Sequence, residues 1–376
     1  MKIPLFDIRL SEADVEAVAA TLRSGWLTMG PRTEEFEESF ARLLDVRHAI
    51  AVSSCTAALH LAYLAAGVGP GDEVIVPAIT FVASAAAVRQ CGATPVLAEV
   101  KGKHDPGIDP KDAAALIGPR TKAVCAVHYA GYPCDTSSLS DLCAEQGIAL
   151  VEDSAHHPLC TPVGLAACFS FSASKVLACG EGGLLATDDD DVARLARGLR
   201  SHAMTSQTWD RHSGHAPGYD IVDLGYNYRL DEPRAALLSS RLERLEENVT
   251  RRRTLVRRYR RALQGIDALL VPYRDEEVDL ASCYAMPVMV EHQEQRDDVR
   301  RAMSERSVQT NVLYPAIHDF SAYASQDRRP MPRSESVART ELTLPLYPHL
   351  TFEDQDRVIA ALGDALTSRE GEVNVW

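Results

Sequence analysis

No stretch of this sequence reaches the roughly 18 consecutive apolar residues that a membrane-spanning helix needs. Its opening residues, Met1-Lys2-Ile3-Pro4-Leu5-Phe6-Asp7, lack the apolar core of a signal peptide. The nine cysteines include no C-x-x-C pair and are odd in number. A disulfide framework or zinc site is therefore not expected, and a reduced, cytoplasmic protein without a metal is. Positive charge is in deficit: 39 Lys and Arg face 53 Asp and Glu, a net charge of −14. Such a chain repels phosphate backbones, so nucleic acid and membranes are not expected partners. No helix-turn-helix segment, internal repeat or low-complexity linker interrupts the pattern, and Gly180-Glu181-Gly182-Gly183 matches no dinucleotide fingerprint.

What is present is a 376-residue chain, 46% apolar, enough for roughly two domains at ~150 residues each. Short apolar runs alternate with helical patterns between 48 and 190. His48 to Val52, Glu73 to Pro77, Pro95 to Ala98, Ala123 to Val127 and Ala149 to Glu152 read as strands. Helices are predicted over 56–66, 81–91, 110–117 and 136–147. Ser11-Glu12-Ala13-Asp14 resembles a capping box before a first helix. Leu230 to Leu263 reads as one or two long helices whose arginine stripe, Arg251 to Arg261, pairs with Glu243, Glu246 and Glu247 or forms an interface or anion-attracting face. After 265 the pattern changes to a strand over 284–290 and helices over 294–305 and 352–367. The expected architecture is α/β. A large domain over 1–245 has a mostly parallel central sheet flanked by helices, and a smaller α+β domain spans 246–376.

Three segments carry polar chemistry at the junctions of these elements. Ser53-Ser54-Cys55-Thr56 lies between a strand and a helix, where unsatisfied backbone N–H groups can cradle a phosphate. Glu152-Asp153 closes an apolar strand and faces the crevice where α/β sheets bind ligands. Lys175 follows Phe169-Ser170-Phe171-Ser172-Ala173-Ser174 in a short Ser-rich turn, where a desolvated amine can form a Schiff base. Each feature alone is commonplace: a helix cap, a capping carboxylate, a surface lysine. Together they describe the needs of pyridoxal 5'-phosphate: an anion cradle, a carboxylate for the pyridine nitrogen and an amine for the aldehyde.

The order of motifs resembles the nucleotide-sugar aminotransferases of the fold-type I pyridoxal-phosphate superfamily, the DegT/DnrJ/EryC1/StrS family. The landmarks are Gly25-Trp26-Leu27-Thr28-Met29-Gly30, Ser53 to Ala62, Gly69 to Pro77, Thr80-Phe81, Glu152-Asp153, Phe169 to Phe171, Lys175, Gly180 to Gly183 and Gly225-Tyr226-Asn227-Tyr228-Arg229. The resemblance runs from about Leu5 to Leu366. It implies that Lys175 holds the cofactor and shuttles the proton, and that Asp153 binds the pyridine nitrogen. It further implies that Phe81 and Ala155 sandwich the ring, that His156 lies near its 3′-oxygen, and that Cys55 N–H, Thr56 and Ser170 hold the phosphate. Asn227 would reach the phosphate of a neighbouring subunit, which implies a homodimer with shared sites. Tyr314, His318 and Arg229 would face the sugar nucleotide. Departures from the family pattern are Cys55 where Gly is frequent, a shortened stretch from His157 to Ala167, and Ser172 where several relatives carry His.

The activity implied is transfer of the amino group of L-glutamate to a nucleotide-linked keto-deoxyhexose. His after the Asp-x-Ala triplet favours a dTDP- or UDP-4-keto-6-deoxyhexose, serving an antibiotic glycoside or a surface polysaccharide. A 3-keto-sugar or cyclitol ketone is the alternative. A sugar dehydratase of the same family typically has His in place of Lys175, and a regulatory homologue has no need of both Lys175 and Asp153.

Overall fold

The computed structural model describes residues 2–206, 208–214, 217–324 and 329–367. Two helices precede the sheet, α1 (Glu12–Ser24) and α2 (Pro31–Leu44). The capping box at Ser11 forms: Asp14 N donates to Ser11 Oγ at 3.2 Å, and Ser11 N donates to Asp14 Oδ2 at 2.9 Å. The start of α2 has no side-chain cap of its own. The buried carboxylate of Glu232 supplies one, accepting from Gly30 N and Thr33 N at 2.9 Å and Arg32 N at 2.8 Å. A carboxylate at that end also meets the positive end of the helix dipole.

The alternating region then runs β1 (His48–Val52), α3 (Cys55–Ala65), β2 (Glu73–Pro77), α4 (Ala83–Gln90), β3 (Thr94–Ala98), a small hairpin of β4 (Val100–Gly102) and β5 (Asp105–Ile108), and α5 (Pro110–Leu116). It continues through β6 (Thr121–Val127), α6 (Thr136–Gln146), β7 (Ala149–Asp153), β8 (Ala166–Ser170), β9 (Gly183–Thr187), α7 (Asp190–Leu199), α8 (Thr208–His212) and α9 (Glu232–Leu242). Seven strands form one sheet in the order β1-β9-β8-β7-β6-β2-β3. The β3, β2, β6, β7 and β8 neighbours pair in parallel, whereas β9 runs antiparallel to both β8 and β1. The central strands are buried almost end to end because helices cover both faces. Strands β8 and β9 were not among those expected, since Ala166–Ser170 has no β-branched residue and Gly183–Thr187 has only its final Thr.

The remaining elements are α10 (Leu245–Leu263), β10 (Met286–Met289), α11 (Gln293–Glu305), α12 (Pro332–Thr340), β11 (Glu341–Leu344) and α13 (Phe352–Thr367), with β10 and β11 antiparallel. The long helical stretch is thus two helices, joined at residues 243–244. The C-terminal core also takes in Ile79, Val100, Tyr129 and Tyr132 from the first part of the chain. The two parts are tied further by buried Glu99, which caps α12 by accepting from Arg333 N at 3.0 Å and Ser334 N at 2.8 Å.

The arginine stripe of α10 does not pair with Glu243, Glu246 and Glu247. Arg257, Arg258 and Arg260 reach Asp279, Asp356 and Asp275, while Arg251, Arg252 and Arg253 donate to backbone carbonyls. The helix packs against neighbouring loops along this face, so partners come from distant segments and not from its own preceding turn.

One glycine sets how closely α3 approaches the sheet. A Cβ on Gly183 would lie 2.2 Å from Ser54 C and 2.4 Å from Cys55 N, both backbone atoms. A Cβ on Gly198, inside α7, would meet nothing within 4 Å. Gly183→Ala is therefore expected to destabilise the protein by about 1–3 kcal/mol through overpacking, whereas Gly198→Ala stabilises it by about 0.5–1 kcal/mol. Urea unfolding of the two variants checks the contrast; equal shifts of the same sign would contradict it.

Candidate active site

A cavity of about 410 Å³ opens where the parallel strands end. Ser54, Cys55 and Thr56 after β1, Thr80 and Phe81 after β2, Val127 of β6, Asp153 of β7 and Ser170 of β8 all line it. This is where a parallel α/β sheet offers strand ends, loop groups and helix N-termini to a ligand. Ser54 caps α3 by accepting from Ala57 N at 3.1 Å. The earlier N–H groups of that helix start remain for a ligand, beside the hydroxyls of Thr56 and Ser170.

Asp153 is buried at the end of β7. Its Oδ2 accepts from Ser84 Oγ at 2.7 Å and its Oδ1 from Ala155 N at 3.1 Å. Ser84 Oγ is in turn 2.9 Å from Thr80 Oγ1. Two donors on different elements thus set the orientation of the carboxylate, and no cation pairs with it among the described residues. Cys55 Sγ lies 3.9 Å from Oδ1. Burial and the Asp153 charge push its thiol pKa well up, so it stays protonated.

Lys175 stands across the cavity in the turn after β8. Its Nζ sits 4.7 Å from the ring centre of Tyr284 and makes no hydrogen bond or ion pair among the described residues. The Tyr284 ring also stacks on His156, with centroids 4.1 Å apart and an interplanar angle of 17°. His156 is buried, and burial together with the Lys175 charge holds its imidazole neutral, well below the usual range. Its Nε2 lies 2.9 Å from Tyr314 Oη. The two share one proton in that bond, and whichever donates, buried His156 Nδ1 has no partner among the described residues.

Tyr314 is placed by a buried anchor. Glu341 Oε2 accepts from Leu313 N at 2.6 Å, and Tyr129 Oη donates to Leu313 O. Burial pushes the Glu341 carboxyl up to about 8, against the favourable contacts from Thr343, Leu313 N, Arg296 and Arg300.

Of the residues expected at the site, Cys55, Thr56, Phe81, Asp153, Ala155, His156, Ser170, Lys175 and Tyr314 all line this cavity. Phe81 is 56% exposed, with one flank 5.8 Å from the Tyr314 ring, which leaves an aromatic face open to a ligand. Three expected residues lie elsewhere. His318 is 3% exposed and sits 3.8 Å from Asp319 and 3.9 Å from Glu335. Arg229 donates to Ser201 Oγ at 3.2 Å, and Asn227 is exposed, bridging to Ser201 through the backbone. Sequence reasoning missed Ser84, Tyr284 and Glu341. Ser84 had a faint signal as the polar residue of an Ala-rich helix directly after Thr80-Phe81; Tyr284 and Glu341 come from segments more than 100 residues away and had none.

Below β7, His128, Glu152 and Cys160 converge. His128 Nε2 is 3.2 Å from both Glu152 Oε2 and Cys160 Sγ. Glu152 Oε1 accepts from Val163 N at 2.6 Å and Gly164 N at 2.8 Å. Cys134 N donates to His128 Nδ1 at 3.0 Å, so Nδ1 is an acceptor and Nε2 carries the ring proton. A metal-bound imidazole instead keeps a proton on its second nitrogen. The cluster is therefore a hydrogen-bonded tie that fastens the shortened 157–167 stretch under the site.

The residues present fit pyridoxal phosphate. A cradle of N–H and hydroxyl groups, an uncompensated buried carboxylate, an unpaired lysine amine, an open aromatic face and an orphaned imidazole nitrogen all face one cavity.

Residues 9–363 match the DegT/DnrJ/EryC1/StrS aminotransferase family. The spore coat polysaccharide biosynthesis protein SpsC of Bacillus subtilis (strain 168) is 35% identical over 373 residues, covering 94% of this chain and 95% of SpsC. The PLP-form of the putative sugar aminotransferase Spr1654 from Streptococcus pneumoniae superposes with a TM-score of 0.90 at 27% identity, covering 98% and 99% of the two chains. DesI, solved in the presence of its TDP-sugar product, superposes with a TM-score of 0.88 at 31% identity, covering 99% and 95%. The chain belongs to the DegT/DnrJ/EryC1/StrS aminotransferase family, and it is a fold-type I, pyridoxal-phosphate-dependent sugar aminotransferase.

The buried histidines set an acid limit. His157 is also buried, and its pKa is depressed to about 3 by burial and by nearby Arg253. Both His156 and His157 bind a proton more readily unfolded than folded. Their neutral burial is therefore fully compatible with the fold above about pH 6.5 and opposes it as pH falls below that value. Each contributes a slope of about 1.4 kcal/mol per pH unit in this window. Urea unfolding between pH 7 and 5 should show His157→Asn losing stability less steeply than the wild type; parallel curves would contradict the assignment.

Proposed function

We propose that the chain moves the amino group of L-glutamate onto the keto carbon of a nucleotide-linked keto-deoxyhexose, best a dTDP- or UDP-4-keto-6-deoxyhexose. The observation that carries the reading is that Asp153 and Lys175 face one cavity, each without a partner of opposite charge among the described residues. When bound, pyridoxal phosphate supplies an electron sink conjugated to the carbon that loses its proton. Lys175 Nζ would hold the cofactor, take the proton from the donor's α-carbon and deliver one to the sugar carbon in the second half of the cycle. One amine serves as base and then as acid, and no ion pair restrains it. Asp153, oriented by Ser84 and Ala155 N–H, would keep the pyridine nitrogen protonated, because an adjacent anion favours the cation.

Phosphate would rest on Cys55 N–H, Thr56 and Ser170, with Phe81 and Ala155 on the two faces of the ring. His156 Nδ1 is the group nearest in chemistry to the need of the ring's 3′-oxygen, and Tyr314 would border the sugar. Support for a nucleotide sugar comes from the DesI likeness, since that relative was solved with a TDP-sugar product. Support for amination at C4 comes from His156 in the position after Asp153-Ser154-Ala155. A homodimer with shared sites is supported by exposed Asn227 and by the exposed apolar stretch Tyr219, Ile221, Val222 and Leu224 beside it. Nine free cysteines suit a reducing cytoplasm.

Lys175→Ala should abolish turnover and the visible absorption of the lysine-bound cofactor; full activity in that variant would sink the proposal. A panel of 3-keto and 4-keto nucleotide sugars with L-glutamate, with products followed by mass, tests the substrate. Amination of the 4-keto sugars is expected, and turnover of only 3-keto substrates or of a free cyclitol ketone would overturn the choice of His156 as the discriminating residue.

A further inference from the structure

His156 is held on three sides. Its ring stacks on Tyr284 with centroids 4.1 Å apart, its carbonyl accepts from Ser282 Oγ at 2.6 Å, and its Nε2 lies 2.9 Å from Tyr314 Oη. Buried Nδ1 is left over, on a residue that lines the cavity. The segment that carries Tyr314 is tied on both sides of the tyrosine. Thr343 N donates to Asn311 O at 2.9 Å, and Ile317 N donates to Ala78 O at 2.9 Å. Between these ties Glu341 accepts from Leu313 N at 2.6 Å, and Tyr129 Oη donates to Leu313 O. The backbone therefore delivers the Tyr314 hydroxyl to one place, the outer nitrogen of His156.

A neutral imidazole carries its proton on one of two nitrogens, and the bond made by one nitrogen decides what the other can do. His156 is neutral because burial and the Lys175 charge oppose its protonation. Tyr314 keeps its hydroxyl proton because burial and the Asp153 charge push its pKa well up. Of the two arrangements open to such a pair, phenol O–H to imidazole nitrogen is the stronger. An imidazole nitrogen is basic enough to bind a proton near pH 6.5, whereas a neutral phenol oxygen has no basicity in that range. Tyr314 Oη makes no other hydrogen bond among the described residues, so its proton is free for this one. Nε2 then accepts, and the ring proton sits on Nδ1. The other titratable groups near the pair are Lys175, Asp153, Tyr284, Glu341 and His128. Among the described residues none of these hydrogen-bonds to either side chain, so nothing competes for the Nδ1 proton. A buried N–H without a partner suits an oxygen that carries negative charge.

We propose that Tyr314 is a positioning residue for the cofactor: its hydroxyl donates to His156 Nε2, which keeps the ring proton on Nδ1 and makes that nitrogen a donor to the 3′-oxygen of pyridoxal phosphate. The inference rests on the reading that Lys175 holds the cofactor in this cavity with the 3′-oxygen towards His156. It gives the Tyr314 hydroxyl a task that needs no sugar. A donor on the 3′-oxygen favours the anion, so the proton held between that oxygen and the lysine nitrogen leaves at a lower pH. Tyr314 thus sets the acidity of the lysine-bound cofactor through His156.

The test is a spectrophotometric pH titration of the lysine-bound cofactor in the loaded enzyme, without substrate. Tyr314→Phe should raise the midpoint by roughly half to one pH unit, the size of one hydrogen bond. His156→Phe keeps a ring against Tyr284 and removes both nitrogens, and should raise the midpoint by about one to two units. Adding Tyr314→Phe to His156→Phe should raise it no further, because the hydroxyl acts only through the imidazole. Long-range proton–nitrogen NMR of the loaded wild type, with His156 assigned by its loss in His156→Phe, should find the proton on Nδ1 and none on Nε2. An unchanged midpoint in Tyr314→Phe overturns the proposal, as does an equal rise in both backgrounds or a proton on Nε2. A change confined to KM for the sugar also overturns it and makes Tyr314 a substrate contact only. Absence of any visible lysine-bound cofactor in the wild type sinks the cofactor reading itself, whereas a normal band with a flat midpoint in Tyr314→Phe sinks this proposal alone.

Discussion

A carboxylate at the end of a buried strand has to be held by fixed donors, because water is not there to solvate it. Asp153 meets that requirement with Ser84 Oγ from α4 and the N–H of Ala155 from its own turn. Neither donor is charged, so the negative charge stays available to a ligand. Most of the site follows from this arrangement. The sheet order places Asp153 between Val127 and Ser170, and the antiparallel β9 brings Gly183 against Ser54, so the start of α3 lies close beside the same strand end. An anion cradle and a cation-seeking carboxylate thus end up in one cavity, and Lys175 faces both.

The C-terminal part completes that cavity from above. Tyr284 gives a ring against which both His156 and Lys175 Nζ rest, and Glu341 holds the backbone that presents Tyr314. Its attachment depends on buried ionic and polar ties, with Glu99 on the start of α12 and the α10 arginines on loop carbonyls. Such groups leave little slack: removing one partner strands the other in a dry environment.

Much of this was legible in the residues. The parallel strands, the capping box at Ser11, and the Ser54, Asp153 and Lys175 junctions depend on local pattern: apolar runs, caps and the polar residue that ends a strand. Strands β8 and β9 were not legible, because Ala166–Ser170 has no β-branched residue and Gly183–Thr187 has only its final Thr, and the second continues a glycine-rich turn. Nor were the partners of the α10 arginines, which lie up to 99 residues away where helical spacing has no bearing. Tyr284 and Glu341 act at the site only through tertiary packing. His318, Arg229 and Asn227 came from motif order alone, and within one chain they stand apart from the cavity that motif order assigned them.

Lys175 is the amine we propose to receive the cofactor. The chain has only six lysines, Lys2, Lys101, Lys103, Lys111, Lys122 and Lys175, so the claim can be read at single-residue level. Borohydride reduction of the cofactor-loaded protein, followed by peptide mass spectrometry, should find the phosphopyridoxyl mass on Lys175 alone. A label on any other lysine, or none on Lys175, would contradict the account.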